Sequence, residues 1–116
     1  MKPHANSHEN QEEHHLYEIY DTIEDDIYKY GICGEPLYPN GSSPRANRQV
    51  REFNRLVGFL RFLARVLMTG IPGRKRAEEI EDEMIDAYED KYGRRPRGNP
   101  RSNVRHSPKN IKQTGR

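Results

Sequence analysis

The sequence predicts a small α+β domain in which a three-stranded antiparallel sheet is flanked by helices. Three observations indicate this class: a Tyr- and Ile-rich hairpin pattern, a capped helix pattern in the middle of the chain, and a longer helix pattern after it. With 116 residues, 32% of them hydrophobic, the chain can bury one modest core, which favours one domain. We place that domain at residues 14–106, between a disordered or linker segment at 1–13 and a basic disordered tail at 107–116.

Two β-prone segments separated by an acidic turn predict the first two strands. Residues 16–22 and 27–33 are rich in Tyr and Ile, and Ile-Glu-Asp-Asp lies between them. In the second strand, Tyr28 and Tyr30 should point to one face and Lys29 to the other, because strand residues alternate. The pairing of the hairpin then decides which of them meets the first strand's Tyr17.

The first helix is predicted by signals at both of its ends. After a Gly-, Pro- and Asn-rich loop at 34–43, Ser43 can cap the helix and Pro44 can be its first residue. Gly58 should end it. Apolar residues recur at helical spacing between these points: Ala46, Val50, Phe53 and Val57.

The second half of the chain contains one ambiguous segment and one clear helix. Residues 59–69 are apolar and fit either a continuing helix or a strand, and we predict a strand at 63–69. A turn is predicted at 70–73. A helix should follow at 74–92, ended by Gly93, with loop beyond it.

Charge is distributed unevenly along the chain. Residues 1–30 hold two basic and eight acidic residues, residues 31–93 hold ten of each, and residues 94–116 hold eight basic and no acidic residues, which together give the net charge of +2. A basic terminal run is typical of proteins that bind polyanions, and a solubilising or targeting segment is the alternative.

Several classes of protein are disfavoured by composition. Cys33 is the single cysteine, so no intrachain disulfide can form, and no Cys and His cluster has zinc spacing. No apolar run suits a membrane span or a signal peptide, so another segment would have to carry the domain out of its cell. No small-molecule cofactor is indicated.

The last helix carries a carboxylate in its apolar stripe. At about 100° per residue, Glu81 lies within roughly 60° of the stripe residues. These are Ala77, Met84, Ile85 and Tyr88. A buried charge is normally ion-paired, metal-bound or neutralised. A salt bridge to an arginine and a role as a Mg²⁺ ligand are both open, since Mg²⁺ accepts one carboxylate with waters and phosphate.

Arg45 is unusual because it lies in the first turn of a helix, where the helix dipole opposes a cation. The same helix end attracts phosphate, so Arg45 is a candidate anion-binding residue. An exposed arginine without a specific role is the alternative.

The order of these parts resembles the GIY-YIG (URI) nuclease fold. The first signature of the family falls on His15-Leu16-Tyr17 and the second on Lys29-Tyr30-Gly31, where Tyr17 and Gly31 match in strict register. The first signature lacks its Gly, and Lys29 stands at the place of the second tyrosine. Overall the resemblance covers residues 15–99.

The same resemblance assigns positions further along the chain. The family's arginine falls on Arg45, with Arg48 as the rival, and its downstream histidine falls on Gln49. Its metal-binding glutamate falls on Glu81, after Ile71-Pro72, and its closing asparagine on Asn99.

The resemblance implies a metal-dependent endonuclease that hydrolyses phosphodiester bonds of DNA, with RNA as an alternative substrate. Mg²⁺ or Mn²⁺ would bind Glu81. The base is open among several residues, and the adjacent His14 and His15 could shuttle a proton. The implied catalytic set is Tyr17, Tyr28, Lys29, Tyr30, Arg45, Glu81 and Asn99, and the candidate nucleic-acid contacts are Arg48, Arg51, Arg74 and Arg97.

The chain also resembles the toxin tips of bacterial polymorphic toxins. This implies an antibacterial effector domain that is secreted as part of a larger protein and acts in the target-cell cytoplasm. The producer would then need a cognate immunity protein, expected to be acidic. The competing interpretation is a non-catalytic nucleic-acid-binding module, in which Glu81 is only an ion-pair partner.

Overall fold

The computed structural model describes residues 10–100, in which a three-stranded sheet lies between two helices. The strands are antiparallel in the order β2-β1-β3, which confirms the predicted α+β class. Neither helix of this described part is long and apolar enough to cross a membrane. The tail predicted at 107–116 and residues 1–9 of the predicted linker lie outside the described residues. The elements are β1 (Glu13–Asp21), β2 (Asp26–Cys33), α1 (Pro44–Val57), β3 (Phe62–Pro72) and α2 (Arg74–Tyr92).

The two helices pack on opposite faces of the sheet, because alternate residues of each strand point to opposite sides. Leu16 and Ile32 point towards α2 and pack with its buried Ile80. Tyr17 points the other way and packs with Ala46 of α1. The molecule therefore has two thin apolar layers, one under each helix.

The β1–β2 hairpin contains a bulge that changes the faces predicted for its tyrosines. After the Ile19–Lys29 pair the register shifts, so that Tyr28 is an extra residue on β2. A bulge of this kind interrupts the alternation of side chains. Tyr28 consequently packs on the α1 face and Tyr30 on the α2 face. The prediction that they share a face is wrong.

Helix α1 has the predicted bounds at both ends. Ser43 Oγ accepts the N–H of Ala46 at 3.2 Å, and Pro44 is the first helical residue. Gly58 adopts the left-handed conformation with φ 87°, and its N–H donates to Asn54 O at 2.8 Å. The Ser43 cap fixes the position of the first turn of α1 and therefore of Arg45, which faces the sheet.

The third strand is longer than predicted. The prediction placed it at 63–69 with a turn at 70–73, whereas β3 continues through Pro72. The turn prediction is wrong for most of its length because Ile71 pairs with His14 of β1. Local sequence patterns do not contain such a long-range pairing.

The described chain is also ordered before His14, where the sequence predicted that the domain begins. Asn10 is buried, and its carbonyl accepts the N–H of Arg74 at 2.7 Å. Glu13 pairs with Pro72 at the end of β3. Residues 10–13 therefore pack beside the start of α2 and belong to the domain.

Candidate active site

Tyr17 lies in the central strand, and its ring extends over the neighbouring strand β2. It is 1% exposed and pairs across the hairpin with Gly31. A Cβ at Gly31 would overlap the Tyr17 phenol, so the missing side chain there makes room for the ring. The Tyr17 hydroxyl donates to Gln49 Oε1 of α1 at 2.8 Å. Tyr17 is therefore held between β2 and α1, and its proton already has an acceptor.

Lys29 shares the sheet face of Tyr17, because Lys29 and Gly31 are alternate residues of β2. Burial lowers the pKa of the Lys29 ammonium, while Glu81 opposes that shift and Arg45 adds to it. Burial raises the pKa of the Tyr17 phenol well above its usual range, with Arg45 opposing and Glu81 adding. Charge effects weaken with distance, so these groups lie near one another. We call Tyr17, Lys29, Arg45 and Glu81 the site cluster.

Arg45 joins α1 to β2 within the site cluster. Its Nη1 donates to Ile32 O at 3.2 Å, which directs the side chain from the first helical turn towards the sheet. A guanidinium carries five N–H donors in a fixed fork that suits phosphate oxygens. The helix end beside it also favours anions. The structure thus places the predicted anion-binding residue next to Tyr17 and Lys29.

The residue that caps α1 also ties this helix to β1. Ser43 Oγ and His15 Nε2 are hydrogen-bonded at 2.7 Å, and both residues are buried. Burial lowers the pKa of the His15 imidazole, with the charges of His14 and Arg45 acting in the same direction, and this favours the neutral ring. His15 therefore aligns the Arg45 turn with β1, a role that adjacent histidines in the sequence do not indicate.

Glu81 lies on the buried side of α2, as the helical wheel predicted, but it is only partly buried. Ala77 and Ile85, which precede and follow it by four residues, are both buried. The buried carboxylate of α2 is instead Glu78, which pairs with Arg74 at 3.2 Å. The sequence reasoning did not single out Glu78. Glu81 is partly exposed, and its charge acts on Tyr17 and Lys29 of the site cluster.

A divalent cation would fit Glu81 only together with ligands from outside the protein. Within residues 10–100, no group of three or more His, Cys, Asp and Glu side chains is placed to hold a metal ion. Mg²⁺ is commonly bound by one or two carboxylates together with waters and substrate phosphates. A single, partly exposed carboxylate therefore suits Mg²⁺ or Mn²⁺ bound with nucleic acid, and it does not suit a structural zinc site.

Three of the residues predicted as catalytic lie outside the site cluster. Tyr28 packs edge-to-face with Phe62, with 5.1 Å between the ring centroids. Tyr30 packs with Tyr88 on the α2 face, where burial raises the pKa of its phenol to about 12. Asn99 accepts the Tyr30 N–H at 2.8 Å and donates to the Tyr30 carbonyl at 3.0 Å. Asn99 thus pairs with the outer edge of β2 as a neighbouring strand would.

The four arginines predicted to contact nucleic acid occupy two kinds of environment. Arg48 and Arg51 are exposed on α1, on the helix that begins beside the site cluster. Arg74 pairs with the buried carboxylate of α2 described above, and Arg97 pairs with the buried Asp21 at 2.8 Å. Arg51 is exposed and Arg48 pairs with the exposed Glu35 at 2.7 Å, whereas Arg74 and Arg97 neutralise buried acids.

Gln49 is a site residue that the sequence indicated only through the family resemblance. It follows Arg45 by one helical turn. Its Oε1 accepts a hydrogen bond from the hydroxyl of Tyr17, which lies 32 residues earlier in the sequence. No pattern within α1 marks it, because its significance comes from a contact between helix and sheet.

The three-stranded sheet between two helices, with four site residues contributed by β1, β2, α1 and α2, defines a small α+β domain of the URI fold. Residues 7–93 match the family described as URI fold toxin 2, and the chain belongs to that family. The protein is therefore a URI-fold toxin domain, and Asn99 lies beyond the matched region. No curated protein and no solved structure matches the chain.

Proposed function

We propose that this toxin domain is a metal-dependent endonuclease of the GIY-YIG type that hydrolyses phosphodiester bonds of DNA. The site cluster carries the proposal, because four elements bring a phenol, an amine, a guanidinium and a carboxylate to one place. Together they provide a proton acceptor, an anion-binding group and a metal ligand. Phosphodiester hydrolysis uses these three kinds of group.

Lys29 is the proposed base, and Tyr17 the residue that positions the attacking water. Burial holds the pKa of Lys29 below its usual range, so the neutral amine forms at lower pH than in an ordinary lysine. The phenol of Tyr17 has a raised pKa and donates its proton to Gln49, which makes it a poor proton acceptor. Lys29 therefore accepts the proton of the water, while the Tyr17 oxygen orients that water by a hydrogen bond.

Arg45 and Glu81 complete the proposed chemistry. Arg45 binds the non-bridging oxygens of the scissile phosphate, supported by the amino-terminal end of α1. Glu81 would hold Mg²⁺ or Mn²⁺, which would supply stabilisation of the negative charge of the reacting phosphate. Asn99 supports the set indirectly through the backbone of β2.

A nucleic-acid substrate is supported by the charges outside the site cluster. Arg51 is an exposed cation on α1, and Arg48, one turn before it, pairs with the exposed Glu35. The sequence after α2 adds a run of eight basic residues without an acidic one at 94–116. Such a distribution favours the phosphate backbone of a polyanion.

Cleavage assays test the proposal directly. Plasmid DNA and total RNA are incubated with the wild type in Mg²⁺ and in EDTA, and with the variants Glu81→Gln and Glu83→Gln. Glu83 is exposed on the same helix and provides the matched control. We expect metal-dependent DNA cleavage that falls about 100-fold in Glu81→Gln and is unchanged in Glu83→Gln.

The outcomes separate the alternatives. If RNA is cleaved while plasmid DNA stays intact, the substrate is RNA and not DNA. Binding of nucleic acid without any cleavage would support a binding module, and intact DNA and RNA in every lane would overturn the nuclease proposal. Circular dichroism of each variant checks that the fold is retained.

Membership of a toxin family supports a further part of the proposal, the biological setting. The domain would be delivered by a larger secreted bacterial effector, act in the cytoplasm of the target cell and be neutralised in the producer by a cognate immunity protein. Inducing it in a bacterial cytoplasm should arrest growth, and Glu81→Gln should relieve the arrest. Equal growth arrest by both forms would contradict a nucleolytic cause.

A further inference from the structure

The carboxylate of Glu35 occupies the guanidinium fork of Arg48, which lies one helical turn beyond Arg45 on α1. Arg48 Nη2 donates to Glu35 Oε1 at 2.7 Å, and Arg48 Nη1 donates to Glu35 Oε2 at 3.5 Å. Two N–H groups of one guanidinium thus face two oxygens of one anion, which is also the way in which arginine binds a phosphate group. Glu35 is in this respect an internal anion at a place that suits a phosphate.

Glu35 is held next to the site cluster by the buried end of β2. Its backbone N–H donates to Cys33 Sγ at 3.3 Å, and Cys33 is fully buried. The carboxylate lies near His15 and Arg45 as well as Arg48, because the charges of all three lower the pKa of Glu35, after the larger effect of the Arg48 hydrogen bond. Side chains three residues apart on a helix are neighbours, so Arg45 and Arg48 lie next to each other with Glu35 close to both.

The pair of Arg48 and Glu35 is open to solvent, and it can be exchanged for another partner at little cost. The two side chains are 51% and 45% exposed. Exposed ion pairs contribute little to stability, because water and salt screen them. Arg74 and Arg97, in contrast, pair with fully buried carboxylates, which would be left uncompensated without them. Of the paired arginines among the candidate nucleic-acid contacts, Arg48 is therefore the one that can change its partner.

We propose that Arg48 binds the backbone phosphate next to the scissile one, and that this phosphate displaces Glu35 from the guanidinium. The role of Arg48 rests on the proposed function, in which Arg45 holds the scissile phosphate. A nucleic-acid strand that follows α1 from Arg45 brings its next phosphate to Arg48, where it takes over the fork from the carboxylate. Glu35 thus keeps this cation occupied in the free protein and limits the affinity for nucleic acid.

Binding of nucleic acid to the full chain in EDTA tests this competition without cleavage. A short fluorescent DNA duplex and an RNA of the same length are titrated, and the tighter of the two serves for all variants. Glu35→Gln should bind about threefold more tightly than the wild type, since Arg48 then has no acidic partner to lose. Arg48→Gln should bind about fivefold more weakly. In a double-mutant cycle, Glu35→Gln should give no gain once Arg48 is also replaced.

A second exposed pair on α1 provides the matched control. Glu52 and Arg55 are ion-paired and 52% and 68% exposed, on the last turns of the helix. Glu52→Gln changes the net charge of the protein as Glu35→Gln does, but it should alter the affinity much less. Circular dichroism checks that each variant is folded, and neither Glu35 nor Arg48 has a buried side chain to lose.

The possible results separate this competition from the proposed function itself. If Glu35→Gln gains affinity equally with and without Arg48, the carboxylate only repels nucleic acid from where it stands, and the displacement is overturned. Unchanged affinity in Glu35→Gln would also overturn it, while cleavage through the site cluster would be unaffected. If the wild type binds neither DNA nor RNA, both the nuclease proposal and the role of Arg48 are overturned.

Discussion

Tyr17 and Lys29 show how burial tunes single residues of the site cluster in opposite directions. Burial disfavours the charged form of each group, so it raises the pKa of the phenol and lowers the pKa of the amine. At a given pH the neutral form of Lys29 is thus favoured while Tyr17 keeps its proton, as the proposed roles of the two residues require. Gln49 reinforces this division by accepting the Tyr17 proton.

Replacing Lys29 tests its role as a base. A base acts in its neutral form, so the wild-type rate should rise with pH towards the lowered pKa of Lys29. Lys29→Met should reduce kcat about 100-fold and remove that rise. Lys91→Met, at an exposed lysine near the end of α2, is the control. The pH dependence of single-turnover cleavage measures the effect, and an unchanged profile in Lys29→Met would assign the base elsewhere.

Among the elements, β2 is an outer strand of the sheet that is nevertheless held along both of its edges. β1 pairs with its inner edge, and the segment after α2 pairs with its outer edge. There Gly98 N–H donates to Tyr28 O at 2.7 Å, and Asn99 pairs with Tyr30. The segment lies close to the strand, since a Cβ at Gly98 would be 2.7 Å from Lys29 Cβ. This double pairing holds the backbone of β2 on both sides of Lys29.

The close approach of β1 and β2 can be tested at Gly31. Gly31→Ala places a methyl group where the Tyr17 phenol lies, so we expect a loss of about 1–3 kcal/mol in the free energy of unfolding. Cleavage should fall with it, because Tyr17 must move. Urea denaturation measures the loss. In a double-mutant cycle, Tyr17→Leu should relieve most of the penalty of Gly31→Ala, and simple additivity would show that the two residues do not compete for space.

Across the whole molecule, Asp21 connects segments that are distant in sequence. Its carboxylate is fully buried and pairs with Arg61 before β3 and with Arg97 after α2. It also accepts the N–H of Ile23 at 3.0 Å, which closes the β1–β2 turn. Removing one member of such a buried pair leaves the others uncompensated.

Asp21 should therefore contribute to the acid sensitivity of the fold. The hydrogen bond from Arg61, despite the opposing effect of burial, holds the pKa of Asp21 well below the ordinary value of an aspartate side chain. A carboxylate with a depressed pKa stabilises the folded state at pH values above the pKa that the same group has in the unfolded chain. This stabilisation is lost as the pH falls from there through the folded-state pKa. Asp21→Asn should cost about 3 kcal/mol at pH 7 and flatten the decline below pH about 4. Urea denaturation at pH 7 and at several pH values below about 4 measures both effects, and Asp25→Asn in the exposed turn is the control.

Removal of the metal should separate activity from folding. Because a single carboxylate of the site cluster is offered to the metal, Mg²⁺ should bind weakly without nucleic acid. EDTA should abolish cleavage, while the midpoint of thermal unfolding should stay within about 1 °C of its value in Mg²⁺. Differential scanning calorimetry provides the comparison. A large drop in that midpoint on chelation would indicate a structural metal site instead.

The order and type of the elements follow from the sequence because their signals are local. Ser43 and Gly58 bound α1, and Gly93 ends α2, through hydrogen bonds and backbone conformations set within a few residues. The alternation of apolar residues predicts the hairpin in the same way. The helical periodicity of α2 also placed Glu81 on its inner side before any fold was considered.

The composition of the site cluster depends on the tertiary structure. The pairing of Tyr17 with Gly31 decides that Lys29, an alternate residue of β2, lies on the face of Tyr17 whereas Tyr30 faces α2, and this register arises from strand pairing that sequence alternation does not contain. The Tyr17–Gln49 hydrogen bond and the extension of β3 to Pro72 likewise join residues distant in the chain. The sequence by itself thus determined the elements and the inward Glu81, whereas the register of the sheet decided which side chains share the site with it.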